Sequence, residues 1–522
     1  MKRKLIFGAC LALAACTAGE DPTTGGDDED LTSISARSRN LTFEGVVYVK
    51  PGETDDKILE AVHTQTQSAF GPLLNSKVGV NTREVQNVDK GDLHKRDVIV
   101  VDDAGAQKPM LEVRYVYHDK AVVPVEMAHK TALTLALLGQ GAAGKEKQIL
   151  EECTLNDKET KDDIDQGFLW YDFNPTKAPC RHAIAAEQKR IDDAEGKLSD
   201  PKKMVSKLRA ERIYLPATFD LARADTATHA TYPDYDRLFG GNNAQPGVLT
   251  IVMLDGRLAH EHVAARKDEG YYQWMDMLGV ILQDNPEFTI TKTEPDVPLT
   301  HPKAAGREWP GLGFKDFVRW TVYGDGWPQG LPTSARDEIA DNVANMLDSH
   351  WITLEKTVQV STNGGPPKDL IIRIETLFGC DEDPTPHQRA VSRGDVVIYN
   401  GHSYIGYGPL DPDNFKPTMF PKSYQMFFFD SCVSYNYYEQ DFFQLKEGGS
   451  KNLDLITNGL EAPEDDSGAA EGRFVAKLIS GSMPSFQTLL DAAKATDSLR
   501  VIDGEIDNKF DPAKTRIRVT KP

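Results

Sequence analysis

After residue 15 the chain has no apolar run approaching the ~18 to 20 residues that a helix needs to span a bilayer. It also lacks any long stripe of Lys and Arg. The first absence leaves no candidate membrane-spanning helix beyond the N-terminal residues. The second, with a formal net charge of −21 and a pI near 5.1, argues against nucleic-acid binding, because phosphate recognition needs clustered cations. Metal-ligand spacing is missing too: His118, His129 and most other histidines are scattered. His260 and His262 flank Glu261, and on a helix residues two apart do not face each other. The segments GGNN and EGGS lack the lysine and following helix of a phosphate loop, so they read as turns. No metal and no cofactor is expected. What is present, 40% hydrophobic and 27% charged residues over 522 positions, suffices for two or three packed domains.

The first residues read as a targeting segment. Lys2, Arg3 and Lys4 give a positive start, and Leu5 to Ala15 give a short apolar core. Leu13, Ala14, Ala15 and Cys16 resemble the lipobox of bacterial lipoproteins. That resemblance implies removal of residues 1–15, with Cys10, and lipidation of Cys16. The protein would then sit in the bacterial cell envelope, held to a membrane by its lipid anchor. Thr17, where an inner-membrane retention signal often has Asp, points to the outer membrane. Residues 16–40, with GGDDED at their centre, read as a flexible tether. An exported location permits disulfides. Of the four remaining cysteines, Cys153 and Cys180 flank a polar, aromatic loop and are the expected disulfide; Cys380 and Cys432 are left open between pairing and other roles.

Residues 41–246 read as a smaller α+β region. LTFEGVVYVK (41 to 50), RDVIVVD (96 to 102) and MLEVRYVYHD (110 to 119) have strand character, and DDKILEAVHTQTQSAF (55 to 70) is helical. The segment from His182 to Arg212 reads as two helices broken at Ser199, Asp200 and Pro201. From Gly247 to the end, strands alternate with helices, the pattern of a mostly parallel sheet flanked by helices in an α/β domain. GVLTIVMLD (247 to 255), FTITKT, LIIRIETLF, DVVIYN, YQMFFF and NLDLITNG supply its strands. Helices are expected at 334 to 352, with Thr333 and Ser334 as capping candidates, and at EGRFVAKLISG and SFQTLLDAA.

Two of these strand-like runs stop at reactive side chains: GDVVIYNGHS ends in His402 and Ser403, and YQMFFFDSC ends in Asp430, Ser431 and Cys432. If both lie side by side and parallel, imidazole and thiol emerge together at the C-terminal edge of the sheet, as a Cys/His nucleophile pair requires. The run Tyr399, Asn400, Gly401, His402 resembles the YSGHG segment of metacaspases, and Asp430, Ser431, Cys432 is similar to the start of their DSCHSG segment. The resemblance implies a caspase-like fold for residues 247–522, with Cys432 as nucleophile and His402 as general acid/base. Backbone N–H groups of Ser403 and Cys432 would hold the oxyanion. Asp430, with Asp255 as a second acid, would line a pocket for Arg or Lys in a protein or peptide substrate. The chain departs from the family at Ser403, where the family has Gly, and at Val433, Ser434 and Tyr435 in place of HSG. The expected function is therefore a membrane-anchored cysteine endopeptidase. The alternative is a catalytically inactive caspase-like binding or scaffold lipoprotein of the envelope, and a transferase using the same dyad is a third possibility.

Overall fold

The computed structural model describes residues 31–521 apart from 155–168, 228, 260–262, 296–302, 305–306, 309–312, 325–326, 328–329, 381–382, 463–466 and 494–497. The signal segment, Cys16, and His260 to His262 lie outside the described residues. The chain is a mixed α/β protein built on two large sheets. The larger has eleven strands: β1 (Leu31–Thr32), β2 (Thr226–Ala227), β3 (Val248–Asp255), β4 (Thr289–Glu294), β5 (Trp351–Thr362), β6 (Lys368–Phe378), β7 (Val396–Asn400), β8 (Gln425–Asp430), β9 (Leu453–Asn458), β10 (Arg500–Asp503) and β11 (Ile517–Thr520). Their spatial order is β4-β5-β6-β3-β7-β8-β9-β10-β1-β2, with β11 beside β5.

The five central strands, β6-β3-β7-β8-β9, run parallel. The flanks are antiparallel except for the short β1–β2 pair. The sheet is thus parallel through its centre and mixed overall. Its central strands are apolar on both sides because both faces are covered. Leu249, Ile251, Met253, Met426 and Phe428 face a layer that holds Trp274, Phe317, Ile339, Phe474 and Leu489 from the helices Glu269–Asp284, Phe314–Tyr323, Thr333–Leu347, Ser467–Leu478 and Phe486–Ala492. The alternate residues Val252, Leu254, Phe427 and Phe429 join a second core with Phe442 and with Leu41, Phe43, Tyr115 and Tyr117 of the N-terminal region.

Those last residues belong to a seven-stranded sheet. Its order is Ala132–Leu138, Tyr214–Arg223, Ala36–Val49, Gln107–Pro124, His94–Val101, Met204–Ser206, with Gly79–Val80 beside Gln107–Pro124. Helix Asp55–Gln67 packs on it through Ile58 and Val62, and Thr54 caps that helix by accepting from the Lys57 N–H. The Cys153–Cys180 disulfide closes onto a small separate core around Phe173 and Tyr214.

Three local expectations give way. Residues 31–40, read as part of the tether, include β1 and the start of the strand Ala36–Val49, and Leu31 and Ala36 are buried. The second helix expected before Arg212 is replaced by Met204–Ser206, which pairs with Ile99–Val101, and a single turn at Lys207–Ala210. The helix expected to reach residue 352 ends at Leu347, because Trp351 and Ile352 pair with β4 and β6; Thr333 is its first residue and no side chain caps it. Among the described residues no helix is long and apolar enough to cross a membrane.

His387, buried in the helix Thr385–Arg393 with its ring edge-on to Tyr399 at 5.0 Å, has a pKa pushed down to about 4 by desolvation. The unfolded chain protonates this group near 6.5, so the stability it contributes is complete above that pH and is lost as pH falls toward 4. Urea unfolding of the native chain and His387→Phe should show the native chain losing about 2 kcal/mol more than the variant between pH 7 and pH 5. Parallel losses would show that His387 is not held neutral.

Candidate active site

β7 and β8 are neighbours and parallel, and their last rung pairs Asn400 with Asp430. His402 and Cys432 each lie two residues beyond that rung, at matching positions on strands about 4.8 Å apart. Both are partly exposed at the C-terminal edge of the sheet. The chain reverses sharply after the thiol: Val433 takes a left-handed conformation (φ 47°) and the helix Ser434–Tyr437 follows at once. A β-branched residue rarely adopts this conformation, so the turn must be held from outside. The Val433 N–H donates to the Leu460 carbonyl at 3.0 Å, and the Ser434 hydroxyl donates to the Phe429 carbonyl at 2.8 Å.

The imidazole is oriented by a backbone group. His402 Nε2 lies 3.1 Å from the Leu258 carbonyl oxygen. A carbonyl only accepts, so Nε2 carries the proton and the neutral ring keeps Nδ1 as its acceptor. The loop holding Leu258 is fixed in turn by Asp268, a fully buried N-cap of the helix Glu269–Asp284, which accepts from the Leu258 N–H at 2.9 Å and the Ala259 N–H at 3.3 Å. Sequence inspection could not find the Leu258 carbonyl, since every residue supplies one. Asp268, an acidic residue directly before a helix, did carry a capping signal.

Both peptide groups expected to hold an oxyanion have their carbonyl ends tied down. The Tyr399 hydroxyl donates to the His402 carbonyl at 2.8 Å, and Asn458 Nδ2 reaches the Ser431 carbonyl at 3.4 Å. In a trans peptide N–H and C=O point opposite ways, so these contacts fix the directions of the Ser403 and Cys432 N–H groups. Tyr438 adds a bond from its hydroxyl to the Ser403 carbonyl at 2.7 Å, linking the loop after the histidine to the segment after the cysteine.

The two acids assigned to substrate are both buried. Asp430 is 1% exposed; its Oδ1 accepts from Arg500 Nη2 and from Asn458 Nδ2, each at 2.7 Å. Arg500, on β10, also donates to Asn458 Oδ1 at 3.1 Å and lies over the Phe428 ring at 4.7 Å. An internal guanidinium thus holds Oδ1 of Asp430, while Oδ2 is buried with no hydrogen-bond partner among the described residues. Asp255, also 1% exposed, has no hydrogen-bond partner for either carboxylate oxygen among the described residues, and burial raises its pKa well above the usual range. Glu471 is raised likewise, by burial first and by the charges of Asp255 and Asp430 next. Uncharged carboxyl groups at Asp255 and Glu471 are the state that such burial favours.

Cys380 lies at the end of β6, three strands from β8, or about 14 Å at ordinary strand spacing. A disulfide needs Cα atoms within about 7 Å, and neither Cys380 nor Cys432 is in one. The N-terminal region braces the segments that follow His402 and Cys432: Asn436 Nδ2 donates to the Thr82 carbonyl at 2.6 Å, Asn81 Nδ2 to Glu439 at 2.8 Å, and Arg83 Nη2 to the Gly406 carbonyl at 2.7 Å. Among the described residues no group of three or more His, Cys, Asp or Glu is placed to hold a metal ion.

The Arg500–Asp430 pair yields a stability test. Arg500→Met should cost about 3 to 5 kcal/mol by stranding a buried carboxylate, and adding Asp430→Asn should recover much of that loss. Urea unfolding of the four proteins of this cycle measures both effects, and strictly additive losses would show that the pair is not coupled. No family model, curated protein or solved structure matches this chain.

Proposed function

We propose that this protein is a lipid-anchored cysteine endopeptidase of caspase-like fold, acting in the bacterial cell envelope on protein or peptide chains beside a basic residue. The observation that carries the reading is the matched placement of His402 and Cys432 two residues beyond the paired ends of adjacent parallel strands. The parallel centre of the sheet and its helical cover agree with a caspase-like domain. Cys16 would carry the anchor.

In this mechanism His402 Nδ1 takes the thiol proton as Cys432 Sγ attacks the scissile carbonyl carbon. The Ser403 and Cys432 N–H groups receive the developing oxyanion. Collapse breaks the C–N bond, the imidazolium gives its proton to the leaving amine, and water then hydrolyses the thioester. Leu258 and Asp268 act through the imidazole, as positioning groups.

The buried Arg500–Asp430 pair favours a second reading, an inactive caspase-like binding or scaffold lipoprotein, because it commits Oδ1 of Asp430 to an internal cation. Native, non-reducing alkylation followed by mass spectrometry separates the two, since only the enzyme needs a reactive thiolate at Cys432. Rapid selective labelling of Cys432 is expected, with peptide cleavage abolished in Cys432→Ala and in His402→Ala. Cleavage that survives both substitutions would exclude the dyad. Asp268→Ala should lower kcat by about 10- to 100-fold with little change in KM, as loss of an orienting group predicts; an unchanged kcat would show that the imidazole needs no such support.

A further inference from the structure

Beside the turn that carries Cys432 lies a cleft of about 960 Å³, lined from both parts of the molecule. The loop after β9 contributes Leu460 and Glu461, and the N-terminal region contributes Leu74, Val125, Tyr171 and Asp172. Leu460 and Tyr171 of its wall link it to the turn after the thiol. The Leu460 carbonyl accepts from the Val433 N–H, one residue past the cysteine, and burial first and the Glu461 charge next raise the pKa of the Tyr171 phenol. Apolar side chains stand open here: Ile34 is 37% exposed and Val125 40%, in a protein that exposes few large hydrophobic residues. Three carboxylates, Glu126, Asp172 and Glu461, meet one ammonium, Lys77. Asp172 is raised from its ordinary pKa by burial and then by the neighbouring Glu461 charge, so an arriving cation would relieve a repulsion already present.

We propose that this cleft is the substrate-binding site, taking an extended peptide whose basic side chain is recognised by Asp172 and Glu461 against the Tyr171 ring, while Asp430 serves the internal Arg500. The inference rests on the peptidase reading for its chemistry, but the binding it predicts stands apart from turnover. It assigns the N-terminal region a share of the substrate site. Charge-assisted hydrogen bonds at the cleft wall would recognise Arg or Lys, and the aromatic face of Tyr171 favours a cation beside it.

The test uses the full chain in detergent, with Cys432→Ala to prevent chemistry, and a dye-labelled extended heptapeptide with one central Arg beside the same peptide with Gln. Fluorescence anisotropy should show the Arg peptide binding roughly tenfold more tightly. Asp172→Asn combined with Glu461→Gln should remove that preference, while an unchanged urea-unfolding midpoint controls for folding. No preference in the parent protein, or one that survives the double substitution, would overturn the assignment. Turnover by the native-cysteine protein is measured in parallel. Charge-dependent binding without turnover would support the cleft and discard the peptidase reading, whereas turnover whose Arg selectivity ignores both substitutions would discard the cleft and leave the peptidase.

Discussion

The candidate site depends on the register between β7 and β8. Both strands are buried on both faces, so their side-chain alternation alone does little to specify which rung pairs with which. Polar groups at the strand ends do that instead. At the entry to β7, Asp395 accepts from the Ala244 and Thr250 N–H groups, and at the start of β8 Gln425 donates to the Val391 and Gly394 carbonyls. At the exit, Asp430 is clasped by Asn458 and Arg500. A slip of one residue would break these bonds and shift the thiol about 3.3 Å along its strand relative to the imidazole. The buried ion pair at Asp430 is thus better understood as a registration device than as a source of stability, in keeping with the weak net contribution of such pairs.

Much of the larger sheet could be read in the sequence because its central strands are short aromatic or β-branched runs with polar ends. YQMFFF and DVVIYN have no helical alternative of adequate length. Where the chain is long and mixed, as in Trp351–Thr362, helical patterning ran on past the true boundary, since the pairing with Lys368–Phe378 that decides it is a contact between segments. Met204–Ser206 was hidden for the same reason: its sequence is compatible with helix, and only the partner Ile99–Val101 makes it a strand.

The candidate nucleophile and base were visible as residue types at strand ends, but their surroundings were not. Arg500 reaches Asp430 across 70 residues and the Leu258 carbonyl reaches His402 across 144. Neither link has a local signature. The same holds for Tyr171 and Asp172, which come beside Leu460 and Glu461 from the N-terminal region. The partners of Asp430 are likewise chosen by the fold.

The shared core has a consequence for how this protein could be processed. Phe43, Tyr115 and Tyr117 of the N-terminal sheet lie in one continuous apolar cluster with Phe427 and Phe429, and Leu31–Thr32 continues the larger sheet beyond β10. Cutting away everything before Gly247 would bare one whole face of the central sheet and leave an unpaired strand edge, the two features most prone to drive aggregation. Losing the whole region before Gly247 is therefore closed to this architecture. Any change at the candidate site must leave both parts joined.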